Sequence, residues 1–180
     1  MYSPHTAIDA AIGGVNDWLA DGLSGKKENE VTRKVITPVD GVDNHEGAGM
    51  GRLVTLKNPV PFNELVRRVK VHLGLDQIQV AVAPDHRSSP ISSIALCAGS
   101  GDSVLRGVKA DVHFTGEMSH HAALNLIENG TSAIVCGHSN TERGFLKVLQ
   151  KQLSNQLERD YDGPSEVIVS STDKDPLQIV

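Results

Sequence analysis

Hydrophobic and polar positions follow two periods along the chain, one helical and one alternating. The clearest helical stripe lies in residues 61–73, where Pro61 stands at a favoured first position and Gly74 stops the pattern. Short apolar runs rich in β-branched residues predict strands between the helices. The predicted helices are 6–23, 61–73, 119–129 and 139–159, the predicted strands are 31–38, 51–56, 78–82, 91–97, 111–114, 132–136 and 166–170, and 40–51 is predicted as a loop containing His45.

Because strands and helices alternate through most of the chain, the pattern favours an α/β fold (an α+β sandwich) with helices packed on a mixed sheet. The apolar stripes also predict which residues form the core. The predicted core comprises Leu65, Val66, Val69, Ile94, Leu96, Ile134, Val135, Leu149 and Leu153.

Composition and charge exclude some classes of protein for this chain. The 180 residues carry a net charge of −5 and are 39% hydrophobic, which is typical of one globular domain without nucleic acid as its main partner. No apolar run approaches the roughly 20 residues of a membrane span, and the N-terminal residues do not resemble a signal peptide. The two cysteines, Cys97 and Cys136, lie in apolar stretches and are expected to be buried thiols in a reducing compartment.

Histidines cluster with acidic residues in two runs of the form H-[ST]-x-x-[DE]. One run places His138 four residues before Glu142, and the other places His5 four residues before Asp9. An imidazole and a carboxylate at this spacing can converge on one Zn, Fe(II) or Mn ion. Within the same runs, Ser139 with Glu142 and Thr6 with Asp9 also fit a helix capping box, which requires no metal. The pattern alone leaves both interpretations open.

Two further clusters are candidates for chemistry. Glu117, His120 and His121 follow a predicted strand, but adjacent histidines on a helix do not share a face, so at most one would point inward. The loop 99–103 begins like a dinucleotide fingerprint, but Val104 replaces its third glycine. This loop is either a tight turn or an anion-binding nest. The basic residues that would line such a nest are Arg106, Lys109 and Arg143.

The run TGEMSHHAALNLIENGTSAIVCGHSNTERGFL, residues 115–146, resembles the signature of the Nif-three-like family, whose bacterial relatives are called GTP cyclohydrolase I type 2 homologues. The segments YSPHTAIDA, ISSIALCAGSGDSVL and STDKDPLQIV are similar to its eukaryotic branch, so the resemblance covers nearly the whole chain. It implies an α/β fold that assembles into a toroidal hexamer around bound metals.

The resemblance also implies a dinuclear metal site, with Asp9 from the H-T-x-x-D motif and His138 and Glu142 from the G-H-x-x-T-E motif. The remaining ligands of the family are a His-His pair well before the first motif, whereas Met1 lies only eight residues before Asp9. We therefore interpret residues 1–180 as a single family region that is N-terminally truncated. Its dinuclear site is expected to be incomplete and to bind at most one divalent ion, weakly.

Two functions are consistent with these observations. The first is a divalent-metal protein with hydrolase chemistry, in which Glu117, His120 or His121 is the catalytic acid or base. The alternative is a protein-interaction role with transcriptional co-regulators, in which the metal site is structural or vestigial. The resemblance predicts a homo-oligomer, and the composition predicts neither direct nucleic-acid contact nor membrane contact. The expected location is the cytoplasm, with the nucleus and mitochondria as alternatives.

Overall fold

The computed structural model describes residues 1–39, 41 and 46–177. Within these residues, six strands form one mixed sheet, which confirms the predicted fold class. The strands are β1 (Glu30–Pro38), β2 (Gly49–Val60), β3 (Gln79–Ala81), β4 (Ile91–Cys97), β5 (Val112–Thr115) and β6 (Ser132–Val135). The helices are α1 (Thr6–Ala10), α2 (Val15–Ser24), α3 (Phe62–Leu73), α4 (Asp102–Leu105), α5 (His120–Glu128) and α6 (Leu146–Asp160).

The strand order in the sheet is β1-β2-β4-β5-β6-β3. Strands β1, β2 and β4 pair antiparallel, β4, β5 and β6 run parallel, and β3 pairs antiparallel with β6. The three parallel strands therefore end at the same edge of the sheet. Ligand pockets in α/β folds form outside the carboxyl ends of such strands.

The main core contains apolar residues of α2, α3 and the central strands. Of the predicted core, Leu65, Val69, Ile94, Leu96 and Ile134 are fully buried, and Val66, Val135 and Leu149 are partly buried. The prediction for Leu153 is wrong, because 46% of this residue is exposed. The described part of α6 has no fully buried residue, so its apolar stripe meets the core only through positions such as Val148 and Leu149.

Glycine divides the first predicted helix into α1 and α2. Gly13 has a φ of +71°, in the left-handed region that ends helices. A side chain on Gly14 would collide with the backbone carbonyl of Ile8, so the chain turns sharply between the two helices.

Three other predicted elements differ from the structure. The helix predicted from residue 139 begins only at Leu146, after 3₁₀ turns at Ser139–Thr141 and Arg143–Phe145. The segment 166–170 is not a strand, although the carbonyl of its Val167 accepts a 2.7 Å hydrogen bond from Gln150 Nε2 on α6. In the predicted loop 40–51, residues 40 and 42–45, including His45, lie outside the described residues, and 49–51 belong to β2.

Both cysteines are buried as free thiols, as predicted. Burial raises the pKa of Cys97 to about 11 and that of Cys136 to about 12. No helix in the described ranges is both long and apolar enough to cross a membrane.

Candidate functional site

A pocket of about 370 Å³ opens between α1 and the turns that follow β6. Its lining includes Asp9, His138 and Glu142, the three residues predicted as metal ligands, together with His5. These side chains come from segments that are far apart in sequence, and the fold brings them to one surface. His138 follows β6 closely, so the pocket lies at the carboxyl edge of the parallel strands.

The His138 imidazole lies between two carboxylates. Its Nε2 is 3.3 Å from Glu142 Oε1, and its Nδ1 is 3.3 Å from Glu117 Oε2. Two atoms that each bind one ion at about 2.1 Å with a tetrahedral angle lie about 3.4 Å apart. The separation of His138 and Glu142 therefore suits a shared cation. Glu117 contacts the opposite ring nitrogen, where it can fix the orientation of the ring.

The pocket is electronegative. Burial raises the pKa of Asp9, and the negative charge of Glu142 raises it further, while His5 and His138 partly offset both effects. Burial alone would lower the pKa of His138, but the Glu117 hydrogen bond and the Glu142 charge outweigh it, so this pKa is raised. The raised pKa of His138 indicates that its neighbouring carboxylates stabilise a positive charge on the ring.

Gly99 provides the space that His138 and Glu142 occupy. It follows β4 with a φ of +60°, and a side-chain Cβ there would lie 2.7 Å from Glu142 Oε1 and 2.9 Å from His138 Nε2. Fully buried Thr141 joins the same segments. Its Oγ1 accepts a 2.8 Å hydrogen bond from Gly99 N and donates a 2.7 Å hydrogen bond to His138 O. Thr141 thus positions the His138 turn against the end of β4.

Asn16 positions the Asp9 side of the pocket. Its fully buried side chain donates from Nδ2 to Asp9 O at 3.0 Å, and its Oδ1 accepts from Ala98 N at 3.0 Å. This amide therefore links the end of α1 to the end of β4. Sequence reasoning missed Asn16, although one signal was present: it shares a helical stripe with the apolar residues Leu19 and Leu23.

The capping interpretation of both histidine motifs is wrong. His5 and His138 occupy the N-cap positions, and neither turn has a side-chain capping hydrogen bond. Ser119, in contrast, caps α5 by accepting a 3.2 Å hydrogen bond from Ala122 N. The carboxylates of Asp9 and Glu142 are therefore not used as helix caps.

The three candidate catalytic residues lie in different environments. Glu117 reaches the pocket through its contact with His138, although 54% of its side chain is exposed. His120 and His121 are exposed on the first turn of α5, with ring centroids 5.6 Å apart, and they do not line the pocket. Across residues 1–39, 41 and 46–177, no group of three or more His, Cys, Asp or Glu side chains lies close enough together to hold a metal ion as it stands. Asp9, His138 and Glu142 line one pocket without forming such a group.

The fold and the pocket together define the class of this protein. It is a mixed α/β protein whose parallel strands end at a pocket lined by histidine and carboxylate side chains. Within this class, residues 1–176 match the family described as Duf34/NIF3 (NGG1p interacting factor 3), and the chain belongs to that family. This finding confirms the resemblance noted in the sequence.

Relatives in two yeasts support the assignment. The NIF3 homolog of Schizosaccharomyces pombe is 48% identical over 179 residues, covering 98% of this chain and 63% of that protein. The NGG1-interacting factor 3 of Saccharomyces cerevisiae is 42% identical over 184 residues, covering 99% of this chain and 61% of that protein. The chain thus spans slightly less than two thirds of these relatives.

A solved structure supports the fold. A Bacillus cereus protein related to NIF3 superimposes with a TM-score of 0.79, covering 97% of this chain and 72% of that one. The two sequences are 17% identical, so this likeness concerns the fold.

Proposed function

We propose that the pocket binds one divalent cation, Mn²⁺, Fe²⁺ or Zn²⁺, through Asp9, His138 and Glu142. The observation that carries this proposal is that the three side chains line one pocket. One imidazole nitrogen and two carboxylates are a donor set that these ions accept. Burial is the main cause of the raised pKa of Asp9, and the charge of Glu142 adds to it, so the two carboxylates are close enough to favour a cation between them.

The surroundings of the three residues support the same proposal. Histidines that bind metals usually donate their second ring N–H to a carboxylate, which fixes the ring and its tautomer. Glu117 is placed to accept this hydrogen bond, since its Oε2 lies 3.3 Å from His138 Nδ1. Glycine at position 99 keeps the opposite nitrogen accessible. Glu117 is then a positioning residue for His138.

The chemistry that follows is metal-assisted hydrolysis. A divalent cation with open coordination positions activates water and polarises a phosphoryl or carbonyl oxygen. In this chain, Asp9 and Glu142 would balance the charge of the cation and His138 would orient it. A direct acid–base role for His120 or His121 requires a contact with the ligand from outside the pocket, and it remains a prediction.

A second proposed role is binding of partner proteins. The budding yeast relative is named for interaction with NGG1, which supports this alternative. Helices α5 and α6 have no fully buried residue, and Leu124 and Leu153 are each 46% exposed. These surfaces are available for a partner or for the expected homo-oligomer. Cytoplasmic location, with the nucleus and mitochondria as alternatives, is likewise still a prediction.

Calorimetric titration of Mn²⁺ into metal-free protein tests the proposed cation site. We expect about one ion per chain, and Glu142→Gln should weaken binding at least about 10–100-fold, because losing a charged ligand costs no less than losing a residue that orients one. Glu158→Gln is the matched control, since Glu158 is exposed on α6 and does not line the pocket. Equal affinity of the two variants would contradict the proposal.

A further inference from the structure

Arg143 lies at the rim of the pocket, directly after Glu142 in sequence. Its guanidinium binds the carboxylate of Asp173 through two parallel contacts, Nε to Oδ2 at 2.8 Å and Nη2 to Oδ1 at 2.9 Å. This fork geometry is the one by which arginine binds the oxygens of carboxylates and phosphates in ligands. An anion-binding group is therefore present beside the proposed cation site, with a carboxylate of the chain already in place.

Asp173 belongs to residues 161–177, which form neither helix nor strand. This segment, here called the C-terminal strap, contacts the body through the Gln150–Val167 hydrogen bond and the Arg143–Asp173 pair. The side chain of Asp173 is 48% exposed and that of Arg143 is 28% exposed. Ion pairs this exposed contribute little to stability, so a ligand can displace Asp173 at low cost.

We propose that Arg143 binds a phosphate group of the ligand and that the Asp173 carboxylate occupies this position until the ligand arrives. A phosphate presents two oxygens to the arginine fork and still has an oxygen to reach a neighbouring cation, whereas a carboxylate uses both oxygens on the fork. The contact between the phosphate and the cation rests on the proposed cation site. The contact between the phosphate and Arg143 depends only on Arg143 and Asp173.

The cation also explains how an anion can enter this pocket. Asp9 and Glu142 would repel a phosphate, and a divalent ion between them offsets their charge. Phosphate and cation should therefore strengthen each other's binding, as linked ligands do. Ligands of this class are phosphate monoesters whose phosphate group lies between Arg143 and the cation.

A second exposed ion pair provides a matched control. Arg106 and Asp102 on α4 form a 2.6 Å contact between Nη2 and Oδ2, and neither residue lines the pocket. Like Asp173→Asn, Asp102→Asn removes a carboxylate that pairs with an arginine. It does so away from the pocket, where no phosphate is proposed to bind.

The experiment is a titration of inorganic phosphate into wild-type protein, Asp173→Asn, Arg143→Gln and Asp102→Asn, with and without Mn²⁺. We expect Asp173→Asn to tighten phosphate binding about two- to fivefold, because an exposed competing ion pair is lost. Arg143→Gln should weaken binding at least about tenfold, because it removes the charged fork. Asp102→Asn should match wild type, and acetate should bind more weakly than phosphate.

The outcomes separate this inference from the proposed function. Equal phosphate affinity in wild type, Asp173→Asn and Arg143→Gln overturns the inference, even if Mn²⁺ binds. Tighter binding of acetate than of phosphate overturns the assigned ligand class. If Mn²⁺ does not bind, the cation site fails, while the variant series without Mn²⁺ still decides the role of Arg143. Circular dichroism of Arg143→Gln checks that its fold is retained.

Discussion

Replacing Gly99 with alanine is expected to separate the two ligand atoms that face it. The new Cβ would lie 2.7 Å from Glu142 Oε1 and 2.9 Å from His138 Nε2, whereas ordinary contact begins at 3.4 Å. These atoms must therefore move by at least about 0.5–0.7 Å, which exceeds the roughly 0.2 Å tolerance of metal–ligand distances. We expect the affinity for Mn²⁺ to fall about 10–100-fold, as when a metal ligand loses its orientation.

The control for this substitution is Gly107→Ala. Gly107 has a φ of +78°, and a Cβ there meets nothing within 4 Å, so its cost is the left-handed backbone alone. That cost is about 1–2 kcal/mol. Gly99→Ala carries the same backbone strain. It should cost about 1–3 kcal/mol more, because the new Cβ overpacks against the side chains of His138 and Glu142. Urea unfolding measures both costs, and calorimetry measures Mn²⁺ affinity. Equal Mn²⁺ affinity of the two variants would show that a side chain at position 99 does not disturb the proposed ligands.

Further predictions concern stability and reactivity. Leu65→Ala should lower the free energy of unfolding in urea by about 2–5 kcal/mol because Leu65 is fully buried. Leu153→Ala should lower it by less than about 1 kcal/mol because Leu153 is 46% exposed, and equal losses would contradict the assigned burial. Burial would raise the pKa of Asp17 above its ordinary 3.8, but hydrogen bonds led by that from Arg52 outweigh it and lower this pKa. The folded state therefore resists protonation, so the contribution of Asp17 is present above about pH 4 and is lost as the pH falls through the lowered pKa. In the acid range below about pH 4, Asp17→Asn should reduce the slope of the unfolding free energy against pH. An unchanged slope would show that the pKa of Asp17 is not lowered in the folded protein. Burial raises the pKa of Cys136 to about 12, so at pH 8 iodoacetamide should alkylate it on the order of a thousandfold more slowly in folded than in unfolded protein. Equal rates, measured by mass spectrometry, would show that this thiol is accessible.

Local patterns predicted the regular elements well. The stripe between Pro61 and Gly74 became α3 at Phe62–Leu73, because its start, its apolar face and its stop all lie within a short stretch. The chain from residue 139 was harder to predict. Its apolar spacing is helical, but His138 and Glu142 flank the 3₁₀ turn Ser139–Thr141, whose position depends on a hydrogen bond from Gly99 to Thr141. Contacts between distant segments override local spacing at this point.

In the candidate site, too, local motifs identified some residues, and residues that act through distant contacts were missed. The paired motifs and the family resemblance identified Asp9, His138 and Glu142 from the sequence. Asn16 and the Arg143–Asp173 pair were not predicted, because their partners lie 82 and 30 residues away, at Ala98 and on the C-terminal strap. A side chain that acts through one distant hydrogen bond has no local motif. Such residues are found once the fold has brought their partners together.

The proposed binding of one divalent cation between Asp9, His138 and Glu142 can be tested by direct observation of the ion. Crystals of the chain soaked in Mn²⁺ and measured at the manganese absorption edge would locate the ion directly by anomalous scattering. We expect an anomalous peak within about 2.0–2.3 Å of His138 Nε2 and of carboxylate oxygens of Asp9 and Glu142. A peak bound elsewhere on the chain, or a pocket without one at saturating Mn²⁺, would contradict the proposal.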